Sequence, residues 1–173
     1  MIYLVCRNWQ CHLKFMDLFI TEFHILSEAH MQAFAAALGK SLRCGDILLL
    51  EGHIGAGKSF FARSLIQSVQ DIPEEVPSPT FTLVQTYDTQ IGEIWHADLY
   101  RLTSHQEAVE LGLEEAFETS ISLIEWPDRL GNLSRYGPLN IAFSSGASEG
   151  DRHLKLQGPA SIWAPRLQVL SDE

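Results

Sequence analysis

The stretch EGHIGAGKSF, residues 51–60, decides the fold of this chain. Two glycines stand five positions apart, and Lys58 and Ser59 follow directly, which matches the pattern GxxxxGK[ST] in full. Glycines allow the backbone to turn so that several N–H groups point at one centre, and such an arrangement binds phosphate. The sequence therefore predicts a phosphate-binding loop over residues 52–59, called the phosphate loop below.

The segments on either side of the phosphate loop have the order that such a loop requires. DILLLE, residues 46–51, is short, apolar and bounded by glycines, which favours a buried parallel strand. KSFFARSLIQSV, residues 58–69, is typical of a helix, whose N-terminal dipole would face the phosphate. Lys58 is then expected to reach the β- and γ-phosphates of ATP, or the β-phosphate of ADP, and Ser59 to hold Mg²⁺. The residues predicted to surround the nucleotide here are Gly52, His53, Ile54, Gly55, Ala56, Gly57, Lys58, Ser59 and Phe60.

Helix and strand patterns alternate along the rest of the chain. A helix capped by Ser27 is predicted from an apolar stripe, and an acidic helical stretch over 104–118 is interrupted at Gly112. Strands are predicted over 81–87, 93–100, 121–126, 139–145 and 152–158, the last two antiparallel around a Gly/Ser turn. This order predicts an α/β fold of the P-loop NTPase type. It has three layers and a central, mainly parallel sheet, with antiparallel strands near the C-terminus.

The two ends of the chain lack a clear pattern. We expect residues 1–20 to be an extension, with Met16 as an alternative start, and residues 159–173 to be a frayed tail. The ATPase domain is then expected over residues 21–158.

Composition limits the possible partners and compartments. The net charge of −10 over 173 residues would repel nucleic acid, so direct capture of RNA by a basic face is not expected. The three cysteines include no CxxC pair, which favours a reducing cytoplasm over a disulfide framework. No apolar run approaches the roughly 18 residues of a membrane span, so no membrane association is expected.

Two acids stand where predicted strands end. Glu125 follows the apolar run ISLI and is the first choice for the metal, because a phosphate loop needs a carboxylate for Mg²⁺. Asp98 ends EIWHAD and could orient the attacking water or a metal-bound water. The alternative for each is a helix cap or an exposed acid at a strand end.

Three further residues have two interpretations each. Thr80, in the loop VPSPTFT, could sense the γ-phosphate, or the prolines around it could simply mark entry into a strand. A packed or hydrogen-bonded role for His96 is favoured over metal binding. Trp126 could border the nucleotide or belong to the core.

Five blocks in this order resemble the TsaE family, also called YjeE. They are GHIGAGKS, SPTFTLVQTY, HADLYRL, ELGLEEAF and LIEWPDRL, and the resemblance runs from Phe23 to Leu156. These bacterial P-loop ATPases are required to form threonylcarbamoyladenosine at position 37 of tRNAs that read ANN codons. The resemblance implies a Mg²⁺-dependent, weak ATPase that acts with the TsaD and TsaB proteins and touches tRNA only through that complex.

The resemblance also implies roles for single residues. Lys58 and Ser59 would bind phosphates and Mg²⁺, Glu125 would be the second metal ligand, and Asp98 an acid needed for hydrolysis. Three further residues would lie around the nucleotide: Thr80 on a switch loop, Glu28 at the pocket edge, and Arg152 beside Gly150 in a late Gly-Arg element that Asp151 interrupts. This chain departs from the family at His53, where an acid is usual, and has Ser59 and Phe60 where threonine is common.

Two other functions are compatible with a phosphate loop. A small phosphotransferase would need a second substrate site and clustered arginines, whereas the eight arginines here are scattered. A nucleotide-gated interaction module would bind ATP or ADP and barely hydrolyse it.

Overall fold

The computed structural model describes residues 17–72, 74–148 and 150–171. The expected extension up to residue 15 and the alternative start at Met16 lie outside these residues. The strands are β1 Leu18–Ile25, β2 Ile47–Glu51, β3 Val84–Thr89, β4 Gly92–Asp98, β5 Ile121–Glu125, β6 Leu139–Ser145 and β7 Arg152–Pro159. The helices are α1 Glu28–Gly39, α2 Lys58–Val69, α3 His105–Glu110, α4 Leu113–Thr119 and α5 Ala160–Leu167.

The seven strands form one mixed sheet in the order β1-β7-β6-β2-β5-β4-β3. The four central strands, β6, β2, β5 and β4, are parallel, and β1, β7 and β3 join antiparallel at the two sides. This arrangement confirms the predicted α/β fold with a parallel centre and antiparallel late strands. The strand expected to begin at residue 81 begins instead at Val84, because residues 81–83 form a turn.

Strand β2 shows how the helices cover both faces of the sheet. Leu48 and Leu50 pack with α1 and α2 in one apolar core, whereas Ile47 and Leu49 pack with α3 and α4 in a second core on the opposite face. Side chains alternate between the faces of a strand, so a continuous apolar run fills both cores. The result is the predicted three-layer arrangement.

The start of α1 and the break between α3 and α4 fall where the sequence predicts them. The side chain of Ser27 accepts a hydrogen bond from the backbone N–H of His30 and caps α1. The break between α3 and α4 falls at Gly112, whose φ of 76° lies in the left-handed region that favours glycine.

The ends of the domain differ from the sequence-based expectation. Residues 18–20, expected in the extension, belong to β1, which pairs with β7 from Leu18 opposite Pro159. Most of the expected tail is the helix α5, in which Trp163 and Leu167 are fully buried. Both differences arise from long-range contacts that local patterns do not reveal: β1 pairs with the distant strand β7, and Trp163 and Leu167 pack into the core.

None of the helices in the described part of the chain is both long enough and apolar enough to cross a membrane.

Candidate functional site

The site lies at the carboxyl ends of three neighbouring parallel strands. The phosphate loop follows β2 directly, and Glu125 ends β5 opposite Leu50 of β2. Asp98 ends β4 and lies opposite Glu125 in the register of the sheet. Parallel strands bring their ends to one edge, so these groups meet although 66 positions separate Ser59 from Glu125 along the chain.

The backbone of the phosphate loop needs its glycines. Gly52, Gly55 and Gly57 have φ values of 146°, 78° and 105°, which L side chains rarely adopt. A Cβ atom on Gly52 would lie 2.8 Å from the carbonyl oxygen of Phe143. The loop is therefore both turned by glycine and packed closely against β6, and α2 begins directly after it at Lys58.

The side chain of Lys58 is held inside the phosphate loop. The residue is 4% exposed, and its Nζ donates hydrogen bonds to the carbonyl oxygens of Gly52 at 2.7 Å and His53 at 3.0 Å. The ring of Trp126 covers the ammonium group, with its centroid 4.2 Å from Nζ. Burial lowers the pKa of Lys58, and the nearby carboxylates of Glu125 and Asp98 oppose that shift.

Ser59 and Glu125 lie side by side. The Ser59 hydroxyl donates to Oε2 of Glu125 at 2.9 Å, and His96 Nε2 lies 2.9 Å from Oε1 of the same carboxylate. Glu125 is 2% exposed and His96 is fully buried. A hydroxyl and a carboxylate oxygen at this distance fit Mg²⁺, which takes oxygen ligands and is usually bound through one or two carboxylates together with substrate phosphates. His96 has the hydrogen-bonded position that the sequence favoured.

Asp98 is held by the loop that contains Thr80. The hydroxyl of Thr80 donates to Oδ2 of Asp98 at 2.7 Å, and the Ser78 hydroxyl lies 2.8 Å from that of Thr80. The backbone N–H of Tyr100 donates to the other carboxylate oxygen at 3.0 Å. The loop before β3 therefore contacts the site. Prolines that only marked the start of a strand would not require this contact.

Two residues beside the site have left-handed backbones without being glycine. Leu83 has a φ of 66° and Trp126 a φ of 60°. Leu83 follows the turn that carries Thr80, and its carbonyl accepts from the N–H of Asp98 at 2.9 Å. Such conformations cost of order 1–3 kcal/mol and are common at functional sites. Neither residue is of a type that signals this conformation, so the sequence could not predict it.

The remaining candidates lie at the edge of the loop. Arg152, at the start of β7, donates from Nε to the carbonyl of Ala56 at 3.0 Å, so the structure does bring it to the phosphate loop. His53 is exposed at the rim, with Nε2 3.3 Å from the Ser145 hydroxyl. Glu28 is exposed in the first turn of α1, and among the described residues no hydrogen bond or ion pair joins it to the loop.

The three apolar side chains predicted to surround the nucleotide differ in how far they are buried. Ile54 is 69% exposed, whereas Ala56 is fully buried, and Phe60 packs partly against the core.

A cleft of about 440 Å³ adjoins the loop. Its lining residues are Leu49, Glu51, Gly52, His53, Trp126, Pro127 and Asp128.

Comparisons with known proteins find one matching family model and several related sequences. A family model described as "Threonylcarbamoyl adenosine biosynthesis protein TsaE" matches residues 25–154. A TsaE protein of Rickettsia bellii is 44% identical over 107 residues, which cover 62% of this chain and 74% of that protein. One from Nostoc is 36% identical over 127 residues, with 69% and 74% covered, and one from Bacillus subtilis is 35% identical over 96 residues, with 55% and 59% covered. All three are named tRNA threonylcarbamoyladenosine biosynthesis proteins.

A solved structure shares the fold. The crystal structure of Bacillus subtilis YdiB superposes with a TM-score of 0.72 and covers 90% of this chain and 96% of its own. Its sequence identity is 22%, so this comparison bears on the fold alone.

Proposed function

The chain belongs to the TsaE family of threonylcarbamoyl adenosine biosynthesis proteins, and we propose that it works there as a Mg²⁺-dependent ATPase of low intrinsic activity. In this proposal the protein binds ATP or ADP at the phosphate loop and acts with TsaD and TsaB in threonylcarbamoylation of adenosine 37. Its fold and family support a nucleotide-binding role.

One observation carries the proposal: the hydroxyl of Ser59, the last residue of the GKS sequence, lies 2.9 Å from the buried carboxylate of Glu125 on β5, the strand beside β2. A turn that merely contained glycine would not require a buried acid beside it. Burying a carboxylate is costly unless it is paired or coordinates a metal. The pairing of Ser59 with Glu125 is the donor set that a Mg²⁺–nucleotide complex uses.

Each side chain then has a defined role. Lys58 would exchange the carbonyls of Gly52 and His53 for phosphate oxygens, and its charge would offset theirs. Ser59 and Glu125 would hold Mg²⁺, which when bound neutralises charge on the phosphates. Asp98, fixed by Thr80, would orient the attacking water. Around the nucleotide, the phosphate-loop backbone would bind phosphate, and Glu28 and Arg152 would border the pocket.

The charge of the protein supports a role through protein partners. With a net charge of −10, contact with tRNA is expected to be indirect, through TsaD and TsaB. A cytoplasmic location belongs to the same proposal, because tRNA modification takes place there.

Replacing Lys58 tests the proposal. Lys58→Ala should weaken ADP binding by about 10- to 100-fold, the equivalent of a charge-assisted hydrogen bond of roughly 1.5–3 kcal/mol. It should also fail to restore threonylcarbamoyladenosine to tRNA in a complementation strain. Lys40→Ala, at the C-terminus of α1, is the matched control and should restore it. Intact modification with Lys58→Ala would show that the phosphate loop is not the working part.

A γ-phosphate transfer assay separates this function from a phosphotransferase. Labelled ATP should release its γ-phosphate to water, slowly with the protein alone and faster with TsaD and TsaB. Label found on a nucleoside or a small metabolite would favour the kinase, and ATP binding without turnover in the full complex would favour a nucleotide-gated module.

A further inference from the structure

The buried histidine behind the metal-site carboxylate has no place in the function proposed so far. His96 lies on β4, is fully buried, and is two residues before Asp98. Its Nε2 is 2.9 Å from Oε1 of Glu125, while the Ser59 hydroxyl donates to Oε2. In the described part of the chain, His96 and Ser59 are the two side chains that bond this carboxylate.

The imidazole has a polar atom that its packing leaves unused. Among the described residues, Nδ1 of His96 is buried and has no hydrogen-bond partner. Leaving a buried polar atom unpaired costs about 1–3 kcal/mol, so an apolar side chain would fill this core position at lower cost. The hydrogen bond to Glu125 is what the histidine provides there and an apolar residue would not.

That hydrogen bond controls the orientation of the carboxylate. Rotation about the last bond of a glutamate side chain is broad and roughly two-fold, so packing alone does not fix which way its oxygens point. A donor on Oε1 defines the carboxylate plane and leaves Oε2 directed at Ser59. His96 is a residue of β4, a strand inside the sheet, so the donor is held on a rigid element.

Both ring nitrogens of His96 are already placed: Nε2 lies on Glu125 and Nδ1 is buried in the core. Within residues 17–72, 74–148 and 150–171, no group of three or more His, Cys, Asp or Glu side chains is placed to hold a metal ion. The geometry instead resembles the outer-shell hydrogen bonds that orient metal-binding carboxylates in other proteins.

We propose that His96 is a positioning residue: its Nε2–H bond to Oε1 orients Glu125 so that Oε2 and the Ser59 hydroxyl present a preformed oxygen pair to Mg²⁺. This inference rests on the proposed function, because it assigns how the same metal site is built. Loss of an outer-shell partner typically lowers metal affinity by about 10- to 100-fold.

The test compares glutamine and asparagine at this position. The side-chain nitrogen of His96→Gln reaches the place of Nε2 and can still donate to Glu125, whereas that of His96→Asn is one carbon shorter and falls short. For each variant and the wild type, ADP affinity is measured by titration calorimetry over a series of Mg²⁺ concentrations and in EDTA. The thermal midpoint of the protein without nucleotide is measured alongside.

The expected result separates positioning from packing. His96→Asn should need about 10-fold or more Mg²⁺ for half of the Mg²⁺-dependent gain in ADP affinity, while its affinity in EDTA stays within about twofold of the wild type. His96→Gln should restore the wild-type Mg²⁺ dependence to within about threefold. His96→Leu, which removes the donor altogether, should behave like asparagine if it folds.

Two results would overturn the inference. One is an unchanged Mg²⁺ requirement in His96→Asn while the wild type remains Mg²⁺-dependent. The other is an equal change for Asn and Gln that follows their thermal midpoints, which would make His96 a packing residue. A wild-type protein whose ADP affinity ignores Mg²⁺ would instead refute the proposed function, and the inference with it.

Discussion

At the scale of single residues, burial and charge act against each other at Lys58. The residue is 4% exposed, and burial alone would favour the neutral amine. Two carbonyl acceptors, the Trp126 ring and two nearby carboxylates favour the ammonium. Burial is the larger effect and lowers the pKa from its ordinary value of 10.5. The lysine therefore has a charge that the folded protein only partly compensates and that phosphate would compensate further.

This balance predicts how stability changes with pH. At neutral pH both the folded and unfolded protein keep the proton on Lys58, so the full cost of burying the charge is present. As the pH rises through the lowered pKa towards 10.5, the folded protein loses its proton first, and this cost falls. The free energy of unfolding of the wild type, measured in urea, should therefore rise relative to that of Lys58→Met. Lys40→Met should show no such trend, and a constant or falling wild-type advantage would contradict the prediction.

Thr80 gives a second prediction at this scale. Thr80→Val keeps the shape of the side chain but removes the 2.7 Å hydrogen bond to Asp98. The Asp98 carboxylate would lose the contact that fixes it, and because misplacing a catalytic group can cost about 100-fold in rate, ATP turnover with TsaD and TsaB should fall by about 10-fold or more. ADP affinity should change by less than about twofold, because no phosphate contact is lost.

The control for Thr80 lies in the same turn. Thr82 is exposed, and Thr82→Val should leave turnover unchanged. A Thr80→Val protein that loses ADP affinity and turnover together would show that Thr80 acts on binding rather than through Asp98.

At the scale of elements, the loop between β2 and α2 is specified by backbone conformation more than by side chains. Gly52 and Gly55 both have positive φ, but their surroundings differ. A Cβ on Gly52 would meet the backbone of β6 at 2.8 Å, whereas a Cβ on Gly55 would meet nothing within 4 Å. Alanine at position 55 would therefore meet backbone strain alone, whereas alanine at position 52 would meet backbone strain and a steric overlap.

We expect Gly52→Ala to destabilise the protein more than Gly55→Ala does. Gly55→Ala should lower the free energy of unfolding by about 1–2 kcal/mol, the cost of a left-handed residue with a Cβ atom. Gly52→Ala should cost about 1–3 kcal/mol beyond that, because the Cβ overlaps a rigid carbonyl. Urea unfolding of both variants measures the difference. Equal losses would indicate that the loop moves freely away from β6.

At the scale of the whole molecule, the two ends of the domain complete one edge of the sheet. β1 pairs with β7, and α5 follows β7 directly. Arg166 of α5 donates to the Asp46 carboxylate at 2.6 Å, across 120 positions of the chain. Arg152, at the start of the same β7, contacts the phosphate loop. β7 and α5 therefore contact the phosphate loop and the residue that precedes β2.

Trp163 tests whether α5 belongs to the domain. It is fully buried, and its Nε1 donates to the carbonyl of Gly137 at 2.9 Å. Trp163→Ala should lower the free energy of unfolding by about 3–5 kcal/mol, the usual cost of emptying such a site in a core. Ser161→Ala, exposed on the same helix, is the control and should change it by less than about 0.5 kcal/mol. A small effect of Trp163→Ala would restore the expectation of a tail.

Local patterns determined most of the elements and the residue types that meet at the candidate site. The apolar run of β2, the glycines after it and the amphipathic α2 signal strand, loop and helix within a few neighbouring residues. Glu125 and Asp98 were predictable because an acid after a buried strand must lie at the end of that strand, and parallel strands end at one edge. These features depend on near neighbours in the chain, so the sequence carries them directly.

Only the tertiary structure decided which side chains contact one another. Three such contacts join residues far apart in sequence. Trp163 is buried in the core, Arg152 contacts the phosphate loop, and His96 bonds to Glu125. The left-handed backbones of Leu83 and Trp126 likewise have no local signal. Contacts of this kind are set by how the sheet is ordered and packed, and a chain's local preferences do not encode that order. The sequence by itself determined a phosphate loop with acids at the strand ends, and the packing of the sheet determined which side chains hold those acids in place.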